Sequence, residues 1–166
     1  MSGQWLIRTA ETEEDARAIS LLWSKLVDYH LDLDANMPVA AEDGAYRYAQ
    51  RISHSMNDSY SRVLVADHNG VIIGYVLGIV IDLLPEMFVE ERTGFLADIY
   101  VDEAWRSHGV GTALVEALAN WFRSRGVEYM EWYVASANAD GIAFWKSRGG
   151  AEIMQRMRMS IKSEDT

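Results

Sequence analysis

The sequence predicts a mixed α/β fold, in which a β-sheet is flanked by amphipathic helices. Two β-rich runs meet at residues 68–70, His-Asn-Gly, a junction typical of a tight β-hairpin. A further strand-like run at residues 95–101 leads through a short turn into an apolar pattern with helical spacing. Another apolar stripe with helical spacing begins at Ala16, behind an acidic helix start.

The first 60 residues predict one strand and two helices. Residues 4–9 form a short strand candidate, and Thr12 stands before three acidic residues, as a helix cap does. We expect residues 29–39 to lie outside this helix, because Pro38 disfavours a helical conformation in the residue before it. A second helix is predicted at residues 40–56.

The hairpin consists of two predicted strands at residues 62–67 and 71–80. Gly74 and Gly78 lie inside the second strand, where glycine indicates a bulge or the close approach of another element. An irregular, acidic connection over residues 82–93 leads from the hairpin to the next strand.

The last third of the chain predicts two helices and two strands. The helix after the turn should stop at Gly126, in the left-handed conformation that ends many helices. A strand is predicted at residues 127–135, a short helix at 140–148 and a last strand at 151–161. The predicted order is β-α-α-β-β-β-α-β-α-β, in one domain that covers residues 1–166.

The composition argues against several classes of protein. No cysteine is present, which excludes disulfides, cysteine nucleophiles and thiolate metal sites, and the four histidines show no metal-ligand spacing. The net charge of −10 argues against binding to nucleic acid. No apolar run approaches the roughly 20 residues that span a bilayer. Since no secretory signal is visible either, we expect no membrane partner and a cytoplasmic protein.

The negative charge is concentrated in the first part of the chain. Residues 1–101 hold 7 basic and 16 acidic side chains, whereas residues 102–166 hold 8 and 9. One interpretation is a solvated surface that keeps the protein soluble. The other is electrostatic attraction of a cationic acceptor molecule.

The turn after the strand at residues 95–101 contains Arg106-x-x-Gly109-x-Gly111. Free backbone N–H groups at the start of a helix favour an anion, and glycines let an anion come close to the main chain. The pattern is therefore either a phosphate-binding turn or an ordinary connection from a strand to a helix.

Two motifs together resemble the signature of a known family. Arg106-x-x-Gly109-x-Gly111 resembles Gln/Arg-x-x-Gly-x-Gly/Ala, the acetyl-CoA motif of the GNAT superfamily of N-acetyltransferases. Residues 138–149, Asn-Ala-Asp-Gly-Ile-Ala-Phe-Trp-Lys-Ser-Arg-Gly, resemble its later motif, Asn-x-x-Ala-x-x-Phe-Tyr-x-x-x-Gly-Phe. The resemblance implies a central mixed β-sheet that is splayed between the fourth and fifth strands and flanked by about four helices.

The resemblance also implies that acetyl-CoA is the cosubstrate. Its pantetheine arm would pair with the backbone of the central strand, and its pyrophosphate would meet the amides of the turn. The asparagine of the second motif would bond the pantetheine region. The implied contacts are Ile99, Tyr100, Val101, Arg106, Ser107, His108, Gly109, Val110, Gly111, Thr112 and Asn138.

Acetyl transfer to an amine needs a proton acceptor, because an amine with a pKa near 10 is mostly protonated at neutral pH. Asp98 is the first candidate, since it lies inside the central strand at a position where relatives often carry an acidic residue. Glu131, on the following strand, is the second candidate. The alternative for each is a salt-bridged or solvated carboxylate on the sheet.

The family's usual proton donor to the leaving thiolate is absent. Trp145 stands where the family motif has a tyrosine, and an indole N–H cannot give up a proton as a phenol does. Tyr133 is the candidate substitute. Alternatively, the thiolate leaves without a dedicated acid, because a thiol has a pKa of only about 8.5. Trp145 would then be a packing residue or a wall of the thiol pocket.

The leading expectation is an enzyme that transfers an acetyl group from acetyl-CoA to the primary amine of a small cationic molecule. A protein or peptide amine, at an N-terminus or on a lysine, is the first alternative, because fold and motifs do not determine the acceptor. The second alternative is a non-catalytic module that binds acyl-CoA. A homodimer is a further expectation.

Overall fold

The computed structural model describes residues 3–163, which fall into two compact units. The first unit ends at Tyr133 and contains the sheet, and the second begins at Val134 and contains one helix. The elements of the described chain are β1 (Leu6–Thr9), α1 (Glu13–Leu33), α2 (Gly44–Met56), β2 (Ser61–His68), β3 (Val71–Asp82), β4 (Arg92–Val101), a 3₁₀ turn (Glu103–Trp105), α3 (Val110–Ser124), β5 (Tyr129–Glu131) and, in the second unit, α4 (Ala139–Ser147).

The sheet is mixed and follows the order β1-β2-β3-β4-β5. Neighbouring strands are antiparallel from β1 to β4, whereas β5 lies parallel to β4. The hairpin between β2 and β3 is confirmed, with φ angles of 52° at Asn69 and 85° at Gly70. A two-residue turn with both φ angles positive matches the twist of the strands that it joins.

The two faces of the sheet are covered by different helices. On one face, Ile19, Leu22 and Ile52 from α1 and α2 join Tyr75 and Leu77 from β3 in a buried core. On the other face, α3 approaches β3 so closely that a Cβ atom on Gly78 would overlap the side chain of Leu118. The sequence expectation of close packing at Gly78 is therefore confirmed.

A β-bulge interrupts β4 in the middle of the sheet. Leu77 on β3 pairs with Asp98, but the next residue, Gly78, pairs with Leu96, so Ala97 has no partner on β3. A bulge bends its strand and changes the direction of the neighbouring side chains. Asp98 directly follows this extra residue.

The sheet is splayed between β4 and β5, as expected. β5 pairs only with Thr93, Gly94 and Phe95, at the beginning of β4. β4 continues for six further residues, to Val101, while the chain after Glu131 leaves the sheet. Within residues 3–163, the outer edge of the second half of β4 has no strand beside it.

Both ends of the connection between α1 and α2 differ from expectation. Residues 29–33 belong to α1, because Pro38 lies too far along the chain to affect their conformation. The N–H of Asp34 donates a hydrogen bond to the carbonyl of His30 at the end of the helix. α2 begins at Gly44 and not at residue 40. A Cβ atom on Gly44 would lie 3.1 Å from Cη2 of Trp23, so glycine permits the close contact with α1 at this point.

The predicted strand at residues 151–161 is wrong. This segment forms no strand or helix, and its side chains, among them Ile153, Met157 and Ile161, are exposed. Its composition is typical of a strand, but a strand is stable only where a neighbour pairs with its backbone. β5 likewise covers three residues, not the expected nine at 127–135. No helix among residues 3–163 is long and apolar enough to cross a membrane.

Candidate active site

The turn between β4 and α3 is built around residues with left-handed backbone. Ser107 has a φ angle of 62°, and Gly109, with 81°, is the N-cap of α3. The first helical hydrogen bond runs from the N–H of Ala113 to the carbonyl of Gly109, at 3.0 Å. The N–H groups of Val110 and Gly111 therefore precede the first intrahelical bond and lie at the positive end of the helix dipole.

This helix start is suited to an anion. Glycine adopts the left-handed conformation at position 109 without strain, and nothing lies within 4 Å of the place where its Cβ would be. The second glycine, Gly111, and the half-buried Thr112 follow in the first turn of α3. Free amide groups together with an open approach favour phosphate binding over an ordinary connection.

Arg106 fixes the beginning of the turn. Its Nε donates a 3.2 Å hydrogen bond to the carbonyl of Val101, the last residue of β4. The guanidinium also lies 5.0 Å from the ring centroid of Tyr29 and 5.4 Å from that of Tyr100, both cation–π contacts. Arg106 therefore holds the turn against the sheet and α1. The sequence did not predict the contact with Tyr29, because residues 29–39 were expected to lie outside α1.

His108 has a defined tautomer when it is neutral. Its Nδ1 lies 2.7 Å from the carbonyl oxygen of Arg106, and since a carbonyl only accepts, Nδ1 carries the hydrogen. Nε2 of the neutral ring is then an acceptor, and it donates only when the ring is protonated.

Asp98 is half-buried and lies on the face of the sheet that α1 and α2 cover. Its Oδ2 accepts a 2.8 Å hydrogen bond from the hydroxyl of Tyr48 on α2, and that hydroxyl lies 3.3 Å from the hydroxyl of Tyr75 on β3. Burial raises the pKa of Asp98, while the hydrogen bond from Tyr48 and the charge of Arg51 oppose the rise. No pattern in the sequence linked Tyr48 to Asp98.

Oδ1, the second oxygen of the Asp98 carboxylate, has no hydrogen-bond partner in the described part of the chain. Among residues 3–163, only Tyr48 donates a hydrogen bond to the side-chain carboxylate of Asp98. No fully buried side-chain oxygen or nitrogen in this part of the chain lacks a hydrogen-bond partner. Oδ1, which has none, must therefore keep some contact with solvent. A carboxylate with one oxygen held and one oxygen open can accept a proton from a molecule outside the core.

Ile99, Tyr100 and Val101 follow Asp98 to the end of β4. All three pair with β3 on one side, and within the described chain no strand pairs with them on the other. Backbone groups on such an edge can pair with an extended ligand. Asp98, this open edge and the turn before α3 thus lie within 15 consecutive residues, from 98 to 112.

The two other candidates near the sheet lie at the far end of β5. Glu131 is half-buried and stands opposite Phe95 in the register of β4 and β5. Tyr133 follows the strand, is 77% exposed and places its ring edge against Phe95, with centroids 5.7 Å apart. The phenol of Tyr133 is therefore accessible to a solute.

The second unit contains Asn138 and Trp145. Oδ1 of Asn138 accepts a 3.0 Å hydrogen bond from the N–H of Gly141 and so caps the N-terminus of α4. Trp145 is buried, with its ring 5.0 Å from that of Phe144. A contact between Asn138 and acetyl-CoA stays a prediction. Within residues 3–163, no three His, Asp or Glu side chains are grouped closely enough to hold a metal ion.

Comparisons with known proteins place these features in a family. The model of the acetyltransferase (GNAT) family matches residues 20–149. A mutant of the BH1408 protein from Bacillus halodurans superposes with a TM-score of 0.84 at 23% identity, covering 95% of this chain and 99% of the other. An aminoglycoside N-acetyltransferase in complex with CoA gives 0.71 at 17% identity, covering 96% and 95%. A predicted acetyltransferase with acetyl-CoA from Clostridium acetobutylicum gives 0.76 at 14% identity, covering 95% and 97%.

Proposed function

The chain belongs to the GNAT family of acetyltransferases, and on that premise we propose that it acetylates the primary amine of a small cationic molecule. The proposal rests on the environment of Asp98. Its Oδ2 accepts a hydrogen bond from Tyr48, while its Oδ1 keeps contact with solvent. The bulge at Ala97 places this carboxylate immediately before the open edge of β4. A proton acceptor thus stands next to the segment that would hold the acetyl donor.

The acetyl donor is acetyl-CoA, which supplies an acyl carbon activated as a thioester. The backbone of Ile99, Tyr100 and Val101 would pair with its amide-bearing arm, as a strand edge does with an extended peptide. The N–H groups of Val110 and Gly111 would bind its pyrophosphate, with Gly109 keeping the approach open. The remaining proposed contacts come from Arg106, Ser107, His108, Thr112 and, in the second unit, Asn138.

Asp98 would accept the proton that the substrate ammonium must lose before attack. A carboxylate whose pKa is raised by burial is a stronger base than an exposed one. The proton passes to Oδ1, the amine lone pair forms the new N–C bond as the C–S bond breaks, and the nitrogen releases its second proton to solvent as the neutral amide forms. Tyr133 would donate its phenolic proton to the departing sulfur.

Two features support a small cation as the acceptor. The chain up to Val101 carries most of the excess negative charge, which attracts cations over a distance. One of the similar structures is named as an aminoglycoside N-acetyltransferase, and aminoglycosides carry several amines. We place the reaction in the cytoplasm, where acetyl-CoA and small amines occur together.

A second candidate function is a module that binds acyl-CoA without catalysis. The specific observation in its favour is Trp145, which is buried and occupies the position of the family's proton-donating tyrosine. Binding needs only the open edge of β4 and the turn, neither of which depends on that tyrosine.

The test is an acceptor screen with acetyl-CoA and purified protein. The panel should hold polyamines, aminoglycosides and amino sugars, together with peptides that offer either a free N-terminus or a lysine. Release of CoA and a product heavier by one acetyl group report turnover. We expect products from small cations. Products from peptides alone would support a protein acceptor, and acetyl-CoA binding without any product would support the binding module.

Asp98→Asn is the matched variant for this screen, because it keeps the shape of the side chain. We expect its rate to fall at neutral pH while the affinity for acetyl-CoA is unchanged. The loss should shrink as the pH rises, since the amine then deprotonates without help. If Asp98→Asn kept the wild-type rate at neutral pH, Asp98 would not be the proton acceptor.

A homodimer is also proposed. The exposed segment at residues 151–161 carries Ile153, Met157, Met159 and Ile161, an alternation that suits a strand with one apolar face. Exposed apolar surface of this kind favours association. Light scattering should give twice the chain mass, and removal of residues 153–166 should return the protein to a monomer.

A further inference from the structure

The hydroxyl group of Tyr48 stands between two other polar groups. It lies 2.8 Å from Oδ2 of Asp98 and 3.3 Å from the hydroxyl of Tyr75. An ionised carboxylate only accepts, so the single proton of Tyr48 goes to Asp98. Tyr75 must then donate to Tyr48. The three side chains form a directed chain of hydrogen bonds that ends on Asp98.

The ring of Tyr48 is held firmly by its neighbours. It stacks on Trp23 of α1 with centroids 4.9 Å apart and an angle of 12° between the planes. The ring of Tyr75 meets it edge-on, at 6.3 Å. Gly44, one turn earlier in α2, leaves just enough room for Trp23 to lie against that helix. A ring fixed on both sides fixes the position of its hydroxyl.

We propose that Tyr48 is a positioning residue for Asp98: by holding Oδ2, it directs Oδ1 towards the acceptor amine. The proposal rests on the proposed function, in which Asp98 accepts the proton. It makes the rate of the reaction depend on a residue of α2, a helix that contains neither of the two family motifs. A hydrogen bond at one oxygen restricts the rotation of the carboxylate, so that the other oxygen spends more time facing the arriving amine.

The groups that face Asp98 determine how its titration should respond. They are Tyr48 and Arg51 from α2, Tyr75 from β3, and Tyr100 on the same face of β4. Tyr48 and Arg51 both stabilise the ionised form of Asp98. Removal of the Tyr48 hydroxyl should therefore raise the pKa of Asp98 and move the acid limb of the pH–rate profile to higher pH.

The first experiment uses Tyr48→Phe. The pKa of Asp98 is measured directly by NMR titration of its carboxyl carbon, and kcat and KM are measured across pH with the best acceptor from the screen. We expect a higher pKa and a kcat reduced roughly tenfold or more, the loss that fits one hydrogen bond to a charged group. The affinity for acetyl-CoA should not change. Tyr46→Phe is the matched control, because it removes a hydroxyl from an exposed tyrosine of the same helix.

A second variant tests the same hydrogen bond in case the Tyr48→Phe protein does not fold. A difluorinated tyrosine at position 48 has nearly the same shape, and its more acidic hydroxyl is a stronger donor. The pKa of Asp98 should then fall, which is the opposite shift. If neither change at position 48 shifts the pKa of Asp98, the positioning role is wrong.

The failure of this proposal can be told apart from the failure of the proposed function. If Asp98→Asn keeps the wild-type rate, Asp98 is not the proton acceptor. If Asp98→Asn loses activity but Tyr48→Phe keeps both the rate and the acid limb, only the role of Tyr48 is wrong. In the Asp98→Asn background, Tyr48→Phe should have no further effect on kcat, because both act through the same carboxylate.

Discussion

Arg8 on β1 and Asp15 on α1 form a two-point ion pair, with Nη2 2.8 Å from Oδ1 and Nη1 2.9 Å from Oδ2. Asp15 is buried, and its Oδ2 also accepts the backbone N–H groups of Glu11 and Thr12. Thr12 in turn accepts the N–H of Asp15, which completes a capping box. One carboxylate thus joins the start of α1 to the edge strand of the sheet.

Asp15 gives the first prediction, a stability that falls in acid. The Arg8 guanidinium holds the pKa of Asp15 well below its ordinary value near 4. Because the folded-state pKa is depressed, the pair stabilises the fold above the ordinary value and loses this effect as the pH falls towards the folded-state pKa. Asp15→Asn should cost about 1.5–3 kcal/mol at neutral pH, the worth of hydrogen bonds to a charged group. This difference from wild type should shrink below about pH 4.

Asp43→Asn is the control for this experiment. Asp43 pairs with Arg47 at 2.9 Å, one helical turn away, but both side chains are largely exposed. Such a pair contributes at most about 0.5 kcal/mol. Urea unfolding at a series of pH values measures all three proteins. Parallel curves for wild type and Asp15→Asn would contradict the role of this carboxylate.

The second prediction concerns the proposed binding of an anion by the turn before α3. Gly111→Val should weaken acetyl-CoA binding by at least about tenfold, because a branched side chain obstructs the approach to the N–H groups and a lost bond to a charged group costs about 1.5–3 kcal/mol. Gly111 has ordinary helical backbone, unlike Gly109, so valine should not strain the fold. Ala119→Val, two turns further along α3, is the matched control. Calorimetric titration measures both, and an equal dissociation constant in the two variants would rule out anion binding by this turn.

The third prediction tests the contact between α3 and the sheet. Gly78→Ala should destabilise the protein by about 1–3 kcal/mol, because its methyl group meets Leu118 and Phe122. Leu118→Ala makes room at the same place, so the double variant should lose less stability than the two single variants added together. Strictly additive losses in thermal unfolding would mean that α3 moves away from β3 without resistance.

Local chemistry explains most of what the sequence predicted correctly. The hairpin depends on Asn69 and Gly70, two residues that adopt positive φ angles readily. The end of α3 depends on Gly126, with a φ angle of 74°, and on the bond from the N–H of Val127 to the carbonyl of Phe122. In each case the residues that determine the geometry are neighbours in the sequence.

Long-range partners explain what the sequence could not predict. Asp98 and Tyr48 lie 50 residues apart, and their hydrogen bond exists because α2 lies on one face of the sheet beside β4. The bulge that precedes Asp98 arises from the register of two strands, which no single strand encodes. Residues 151–161 have the composition of a strand but no pairing partner along the described chain, so propensity alone gave the wrong result.

The last prediction concerns the proton that the leaving sulfur takes up. Tyr133 is 77% exposed, so Tyr133→Phe should change the stability little, and any change in rate is then due to the hydroxyl. If Tyr133 has replaced the family's tyrosine, this variant should lower kcat strongly and leave the affinity for acetyl-CoA unchanged. A wild-type kcat would instead mean that the thiolate leaves without a dedicated acid.

Trp145→Phe is the companion variant. Trp145 is buried, so the smaller ring should cost about 0.5–3 kcal/mol of stability. Turnover should persist, because an indole N–H does not supply a proton to a thiolate at neutral pH. Thermal unfolding, acetyl-CoA titration and kcat measured on the same samples separate stability, binding and chemistry. A folded Trp145→Phe protein that binds acetyl-CoA normally and yet loses nearly all turnover would show that the indole itself acts in the reaction.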